Sequence, residues 1–75
     1  MQIATTPGSD RYLITVSGEV DLATSPELDV AIIAAIDSGA TSVVIDLTDV
    51  SFMDSSGLGV IVRALKRCRE AENDL

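Results

Sequence analysis

The N-terminal part of the chain alternates between apolar and polar positions with the period of a β-strand. From Arg11 to Ser17, large apolar side chains recur at every second position. The preceding run Pro-Gly-Ser-Asp at positions 7–10 is typical of a turn. Residues 2–17 are therefore predicted to form a β-hairpin, which we expect Gly18 to end.

A helical pattern follows the hairpin. Thr24 and Glu27 have the spacing of a capping box, and Ser25 before Pro26 is an equally good start. Gly39 is the natural stop for this helix. Apolar residues recur between these limits with helical spacing: Leu28, Ala31, Ile32, Ala35 and Ile36.

A third strand and a second helix complete the pattern. Residues 41–47 are β-branched and apolar without clean alternation, which is typical of a parallel strand covered on both faces. A helix is predicted from Ser56 or Gly57 to about Ala71. Its expected apolar stripe is Leu58, Ile61, Val62, Leu65 and Cys68. The chain of 75 residues, 1–75, is thus predicted to be a single domain.

The net charge of the chain limits the classes of molecule that are expected to bind it. The net charge is −7, and nine acidic residues precede Arg63 against the single basic residue Arg11. Nucleic acid and anionic membrane surfaces are not expected as partners, because both require basic side chains. A protein with a basic docking surface would be attracted to this chain.

The residue types present also restrict the chemistry. There is no His and one Cys, Cys68, so neither a zinc site nor an internal disulfide is expected, and no cofactor is predicted. Cys68 is predicted to be a buried structural residue. Without His, Ser55 and Ser56 lack a convincing general base, so the chain is not expected to be an enzyme. No signal-peptide pattern or membrane-length apolar run is present, which favours a cytoplasmic protein.

The segment 49–59 is the candidate functional site. It leads from the third strand into the second helix, at the sheet end where α/β proteins bind ligands and partners. Asp54, Ser55 or Ser56 is expected to cap the helix. A serine at a helix N-terminus is also a good acceptor site for a phosphate, so a phosphorylation switch is the second interpretation. The two interpretations are compatible.

Two motifs in this chain resemble those of the STAS family. The first is Val-Ile-Asp-Leu at 44–47 followed by Ser-Phe-Met-Asp-Ser-Ser-Gly-Leu-Gly-Val-Ile at 51–61. The second is Gly-Glu-Val-Asp at 18–21, followed by Ala23 and Thr24. The resemblance spans the whole chain. It implies an α/β fold with a mixed β-sheet, an N-terminal hairpin and then helix–strand–helix (β-β-α-β-α), truncated before the family's usual last strand and helix.

Within the family, the sequence is most similar to bacterial anti-sigma factor antagonists. The resemblance implies that the serine before Gly-Leu-Gly, here Ser56, is phosphorylated by a partner that is both anti-sigma factor and serine kinase, with Ser55 as the second candidate. The unphosphorylated form would bind this partner and free the sigma factor, and a phosphatase would reset the switch. The expected partner-binding residues are Asp21, Thr24, Met53, Asp54, Ser55, Gly57 and Leu58. The alternative function is a ligand-sensing STAS module that binds a nucleotide or small anion at the N-terminus of the second helix.

The family's usual last strand would pair beside residues 41–47. Without it, that strand is expected to have an open apolar edge. We therefore expect either a fragment of a longer protein or a chain that self-associates, with a homodimer formed through the edge of strand 41–47.

Overall fold

The computed structural model describes residues 1–70, and in that range the chain forms two layers. A three-stranded sheet with strand order β1-β2-β3 carries two helices on one face. The β-β-α-β-α order expected from the sequence is confirmed. The elements are β1 (Gln2–Thr6), β2 (Arg11–Val20), α1 (Ser25–Asp37), β3 (Ser42–Met53) and α2 (Ser55–Glu70).

The first two strands form the predicted hairpin, but β2 does not end at Gly18. β1 and β2 pair antiparallel, from Gln2 opposite Ser17 onward. Gly18 has a φ of 88°, which glycine adopts without steric cost, and β2 continues through it to Val20. The prediction that Gly18 breaks the strand was therefore wrong, because a glycine can absorb an irregularity within a strand as well as end one.

β3 runs parallel to β2 and is longer than the predicted 41–47. The pairing shifts register twice and still extends to Val20 opposite Met53. These shifts interrupt the apolar pattern, which explains why the sequence indicated an early end. Most of the candidate segment 49–59 is therefore strand or helix, and Asp54 alone separates β3 from α2.

The sheet is covered on one face, so the prediction that the third strand is buried on both faces was wrong. Val44 and Phe52 of β3 are 38% and 54% exposed, whereas Val43, next to Val44, is fully buried. The helix-facing side of the sheet contributes four fully buried side chains to the core: Ile14, Val16, Val20 and Val43.

α1 packs as its sequence pattern predicts. It buries Leu28, Ile32, Ala35 and Ile36, and Gly39 follows its C-terminus with a φ of 88°. The predicted capping box does not form. The hydroxyl of Thr24, the residue at the N-cap position, makes no capping hydrogen bond and is engaged elsewhere.

α2 begins at Ser55 and buries a different stripe from the one predicted. The side chains that enter the core are Val60, Ala64 and Cys68. Of the predicted stripe, only Cys68 is buried, while Leu58, Val62 and Leu65 are 57%, 49% and 41% exposed. Apolar residues surround more than half of this helix, so periodicity alone selected the wrong face. The predicted end near Ala71 lies outside the described residues. No helix within residues 1–70 is long and apolar enough to cross a membrane.

Candidate functional site

Two aspartates stand side by side at the carboxyl end of the sheet. Asp21 follows β2 and Asp54 follows β3, and these two strands are adjacent and parallel. The Asp54 N–H donates a hydrogen bond to the carbonyl oxygen of Val20, with an N···O distance of 3.1 Å. Each aspartate introduces a helix, so the N-termini of α1 and α2 open at the same end of the molecule.

Asp21 and Thr24 lock the connection from β2 to α1. One carboxylate oxygen of Asp21 accepts the N–H groups of Ala23 and Thr24, each at 3.0 Å. The Thr24 hydroxyl accepts the Asp21 N–H at 2.9 Å and lies 3.1 Å from the same carboxylate oxygen. These reciprocal bonds use the hydroxyl that would otherwise cap α1.

The same bonds change the titration of Asp21. The hydrogen bond from the Thr24 N–H is the largest of the causes that hold the pKa of the Asp21 carboxyl below its ordinary value of 3.8. The Thr24 hydroxyl and the Ala23 N–H add to this effect, and partial loss of solvent opposes it. Asp21 is therefore a fixed negative charge beside the start of α1.

Asp54 is the residue that caps α2. One of its carboxylate oxygens accepts the N–H of Ser56 at 2.8 Å and that of Gly57 at 3.3 Å. Its carbonyl oxygen accepts the N–H of Leu58 at 3.1 Å, which is the first bond of the helix. The structure therefore selects Asp54 from the three capping candidates.

The two serines after Asp54 are left free for other chemistry. Ser55, the first residue of α2, is exposed, and Ser56 is partly buried. Within residues 1–70, neither hydroxyl is hydrogen-bonded to another protein group. Both hydroxyls sit in the first turn of a helix whose start is already satisfied by Asp54.

Two of the residues expected to contact a partner, Met53 and Gly57, lie where the first turn of α2 meets the sheet. Gly57 is buried, and a Cβ atom placed there would lie 2.6 Å from the Cγ of Met53 and 2.9 Å from Cγ1 of Val20. Met53 packs against the hydrophobic core. Gly57 therefore allows the first turn of α2 to approach the sheet closely. This close approach sets the positions of Ser55 and Ser56 at the end of the sheet.

Exposed apolar side chains accompany the serines. Leu58, one turn into α2, is 57% exposed, and Leu22, directly after Asp21, is 76% exposed. The sequence analysis included Leu58 but missed Leu22. Its position next to Asp21 in a short connection was the available signal. The candidate site thus combines two carboxylates, two serine hydroxyls and two leucines at one end of the molecule.

Two cavities of the described chain lie elsewhere. One, of about 300 Å³, opens between β3 and α2 and is lined by Val44, Ile45, Leu47, Ile61 and Leu65. The other, of about 480 Å³, lies beside β1 and includes Glu27 and Asp49 in its lining. Neither includes a residue of the first turn of α2.

Comparison with known proteins identifies the family. The STAS domain model matches residues 1–75. The chain belongs to the STAS domain family. An anti-sigma-B factor antagonist of Staphylococcus epidermidis is 36% identical over 75 residues, which are all of this chain and 69% of that protein. The family resemblance expected from the sequence is thereby confirmed.

Solved structures of STAS proteins share the fold. An anti-sigma factor antagonist from Mycobacterium paratuberculosis is 31% identical with a TM-score of 0.80, over 87% of this chain and 56% of that one. The unphosphorylated form of the anti-sigma factor antagonist SpoIIAA is 22% identical with a TM-score of 0.79, over 96% and 67%. The phosphorylated form of SpoIIAA from Bacillus has a TM-score of 0.80 at 21% identity, over 97% and 68%. This STAS chain is therefore shorter than the relatives it matches.

Proposed function

We propose that this STAS domain is an anti-sigma factor antagonist controlled by serine phosphorylation. The unphosphorylated chain binds an anti-sigma factor that is also a serine kinase, and this binding releases the sigma factor. The relatives named as antagonists support the general role. The observation that carries the switch is an exposed serine hydroxyl, without a protein partner among residues 1–70, at the start of a helix capped by Asp54.

The difference in exposure between the two serines supports an order for them as phosphate acceptors. A kinase must place the hydroxyl in line with the phosphate it transfers, so the side chain must enter the kinase's active site. Ser55 is exposed, whereas Ser56 is partly buried in the same turn. We therefore place Ser55 first and Ser56 second, which reverses the order expected from the sequence.

A phosphate on Ser55 would remain at the protein surface, because the Asp54 carboxylate already accepts the free N–H groups at the start of α2. The N–H groups of Ser56 and Gly57 donate to the Asp54 carboxylate, so they do not draw in a phosphate on Ser55. The phosphate adds about −1.5 to −2 charges beside that carboxylate. A partner that buries Leu58 would have to desolvate this charge, which opposes docking.

The chain supplies the substrate hydroxyl, and the two partners supply the catalysis. In the kinase step, the serine oxygen bonds to the γ-phosphorus of ATP, ADP leaves, and the hydroxyl proton is lost. In the phosphatase step, water cleaves the serine phosphate and restores the hydroxyl. The fold is as similar to the phosphorylated form of SpoIIAA as to the unphosphorylated form, with TM-scores of 0.80 and 0.79. A switch that leaves the fold unchanged agrees with this similarity.

Phosphosite mapping tests the proposal. The chain is incubated with ATP and a serine-kinase anti-sigma factor from the same genome, followed by intact-mass measurement and peptide mapping. Ser55→Ala and Ser56→Ala are compared with Ser51→Ala, an exposed serine on β3 that serves as the matched control. One phosphate that disappears only with Ser55→Ala is the expected result. Phosphorylation unaffected by both helix variants would contradict the proposal.

A further inference from the structure

The outward face of α1 carries an apolar stripe. Pro26, Val30 and Ala34 follow one another at four-residue intervals, so they lie along one side of the helix, and all three are exposed. Val30, at the centre, is 68% exposed, and Leu22, four residues before Pro26, is 76% exposed. These four residues form what we call the outer stripe. The solvent-facing side of a surface helix is normally polar, so the outer stripe is an unusual feature of α1.

The open edge of β3 does not account for the outer stripe. α1 packs against β2 and α2, whereas α2 packs against β3. In the sheet order β1-β2-β3, α2 therefore lies on the side of the open edge and α1 on the side of β1. A strand added beside β3 would extend the sheet away from α1 and would leave the outer stripe exposed.

The charges around the outer stripe restrict what can bind there. Positions 19–37 carry no Lys or Arg and five acidic residues, which are Glu19, Asp21, Glu27, Asp29 and Asp37. Arg67 pairs with Asp37, at the end of α1 far from Leu22. A second copy of this chain would bring the same acidic border against itself, and an anionic lipid surface would meet the same repulsion. The charges favour a protein whose apolar surface is bordered by Lys and Arg.

The outer stripe begins at the candidate site. Leu22 directly follows Asp21, and the strands that end before Asp21 and Asp54 are joined by the hydrogen bond from the Asp54 N–H to the carbonyl oxygen of Val20. A partner seated over Ser55 can therefore continue across Leu22 onto α1. A docking surface made of two adjoining parts, the serine site and the outer stripe, follows from this arrangement.

We propose, building on the function proposed above, that the anti-sigma factor also binds the outer stripe of α1, through an apolar surface bordered by basic side chains. The serines carry the switch, because the phosphate is added there. The outer stripe contributes affinity and selects among anti-sigma factors, because only a partner with a matching apolar surface can cover it.

Binding measurements with substitutions in the outer stripe test this inference. The unphosphorylated chain is titrated by calorimetry with a serine-kinase anti-sigma factor from the same genome. Val30→Glu should weaken binding at least about tenfold, because it buries a charge in an apolar contact. Leu22→Ala should weaken binding about tenfold, because it removes a side chain that the partner would bury. Val62→Glu is the matched control, since Val62 is a helical valine on α2 that is 49% exposed.

A second pair of variants tests the acidic border. Glu27→Gln removes one charge beside the outer stripe and should slow association, with a difference that shrinks as the salt concentration rises. Asp10→Asn removes one charge in the turn between β1 and β2 and is the matched control, with little change expected. Unfolding curves of all variants separate loss of binding from loss of fold.

The outcomes distinguish this inference from the function on which it rests. If the anti-sigma factor binds and phosphorylates the chain, and both Val30→Glu and Leu22→Ala bind as tightly as the unmodified chain, the inference is overturned and the proposed function stands. Equal losses for Val30→Glu and Val62→Glu would also overturn it, because the effect would then come from added charge alone. A folded chain that no serine-kinase anti-sigma factor of the genome binds would overturn both.

Discussion

The two helices of this STAS domain start side by side, and an aspartate serves each start differently. Asp21 makes hydrogen bonds within the connection from β2 to α1. Its carboxylate accepts the N–H groups of Ala23 and Thr24, and its own N–H donates to the Thr24 hydroxyl. The carboxylate of Asp54 accepts hydrogen bonds from the first turn of α2, through the N–H groups of Ser56 and Gly57. The first aspartate fixes a loop, whereas the second completes a helix and leaves the adjacent serine hydroxyls unengaged by other described protein groups.

The difference shows how one residue type provides both rigidity and a modifiable surface. At α1, the Thr24 hydroxyl is hydrogen-bonded to Asp21, so it contributes to the structure of the connection. At α2, the cap comes from Asp54, so Ser55 is not needed for helix formation and remains exposed. A side chain that is not needed for stability can be phosphorylated without unfolding the site.

Among substitutions that test the difference between the two helix starts, Gly57→Val is expected to have the largest effect on stability. Its Cβ would lie 2.6 Å from the Cγ of Met53 and 2.9 Å from Cγ1 of Val20, so α2 must move away from the sheet. Overpacking of this kind typically destabilises a core by about 1–3 kcal/mol. Urea unfolding measures the loss, and kinase assays should show poorer phosphorylation as the serines shift.

Gly59→Ala is the control for the Gly57 substitution. A Cβ at Gly59 meets only the flexible end of Arg63, at 3.4 Å, and Gly59 lies within α2. Replacing a helical glycine with alanine is worth up to about 1 kcal/mol in favour of the helix. Equal destabilisation by both substitutions would show that close packing at Gly57 is not what positions the serines.

Removing the cap of α2 should have the next largest effect. Asp54→Ala leaves the N–H groups of Ser56 and Gly57 without their acceptor and should cost about 1 kcal/mol of unfolding free energy. Asp54→Asn keeps an equally good capping oxygen and should be close to neutral. Chemical denaturation compares the two, and a neutral Asp54→Ala would refute the assignment of Asp54 as the cap.

A smaller effect is expected at Asp21 and appears only in acid. Because the pKa of folded Asp21 lies below its ordinary value of 3.8, its stabilising contribution is present above that value and is lost as pH falls through the lower, folded pKa. Asp21→Asn keeps the accepting oxygen and removes the titration, so unfolding free energy should fall less steeply below about pH 4.

Asp46 provides the comparison for that acid profile. Its pKa is also lowered, chiefly by the side-chain hydrogen bond with Thr48, but it lies within β3 away from the start of α1. With Asp46→Asn, the free energy of unfolding should also fall less steeply over the same pH range, and phosphorylation of the serines should be unaffected. An unchanged acid profile for Asp21→Asn would show that the Thr24 bonds do not persist in solution.

The smallest effect is expected where the two helices meet far from their starts. Arg67 donates to both carboxylate oxygens of Asp37 at 3.0 Å, and the two side chains are 46% and 56% exposed. Exposed ion pairs contribute about 0.2–1 kcal/mol, so Arg67→Ala should lower the unfolding temperature only slightly. A large loss, measured by thermal unfolding, would mean that this contact rather than the core holds α2 against α1.

The sequence predicted the elements well because each carries a strong local signal. The alternation before Gly18 and the helical spacing after Thr24 gave β2 and α1. The length of β3 was missed, because register shifts with β2 break the alternation that marks a strand. The buried face of α2 was missed as well, because small side chains such as Ala64 enter the core while larger ones remain outside.

The candidate site was predicted in position but not in the roles of its residues. The segment from Asp54 to Leu58 was identified from its sequence, yet three residues competed for the cap. Only geometry shows that Asp54 takes the helix donors and that Ser55 is more exposed than Ser56. Such roles depend on where the chain approaches the sheet, which no local pattern encodes.

The most direct test of the central claim measures binding of a defined phosphoform. The chain is prepared by semisynthesis with phosphoserine at Ser55, and its affinity for the anti-sigma factor is compared with that of the unmodified chain by calorimetry. Phosphoserine at Ser51, on β3, is the matched control for added charge. A loss of about a hundredfold or more at Ser55, with little change at Ser51, is predicted from like-charge repulsion and the cost of burying the phosphate. Equal affinities of the unmodified chain and the Ser55 phosphoform would contradict the account.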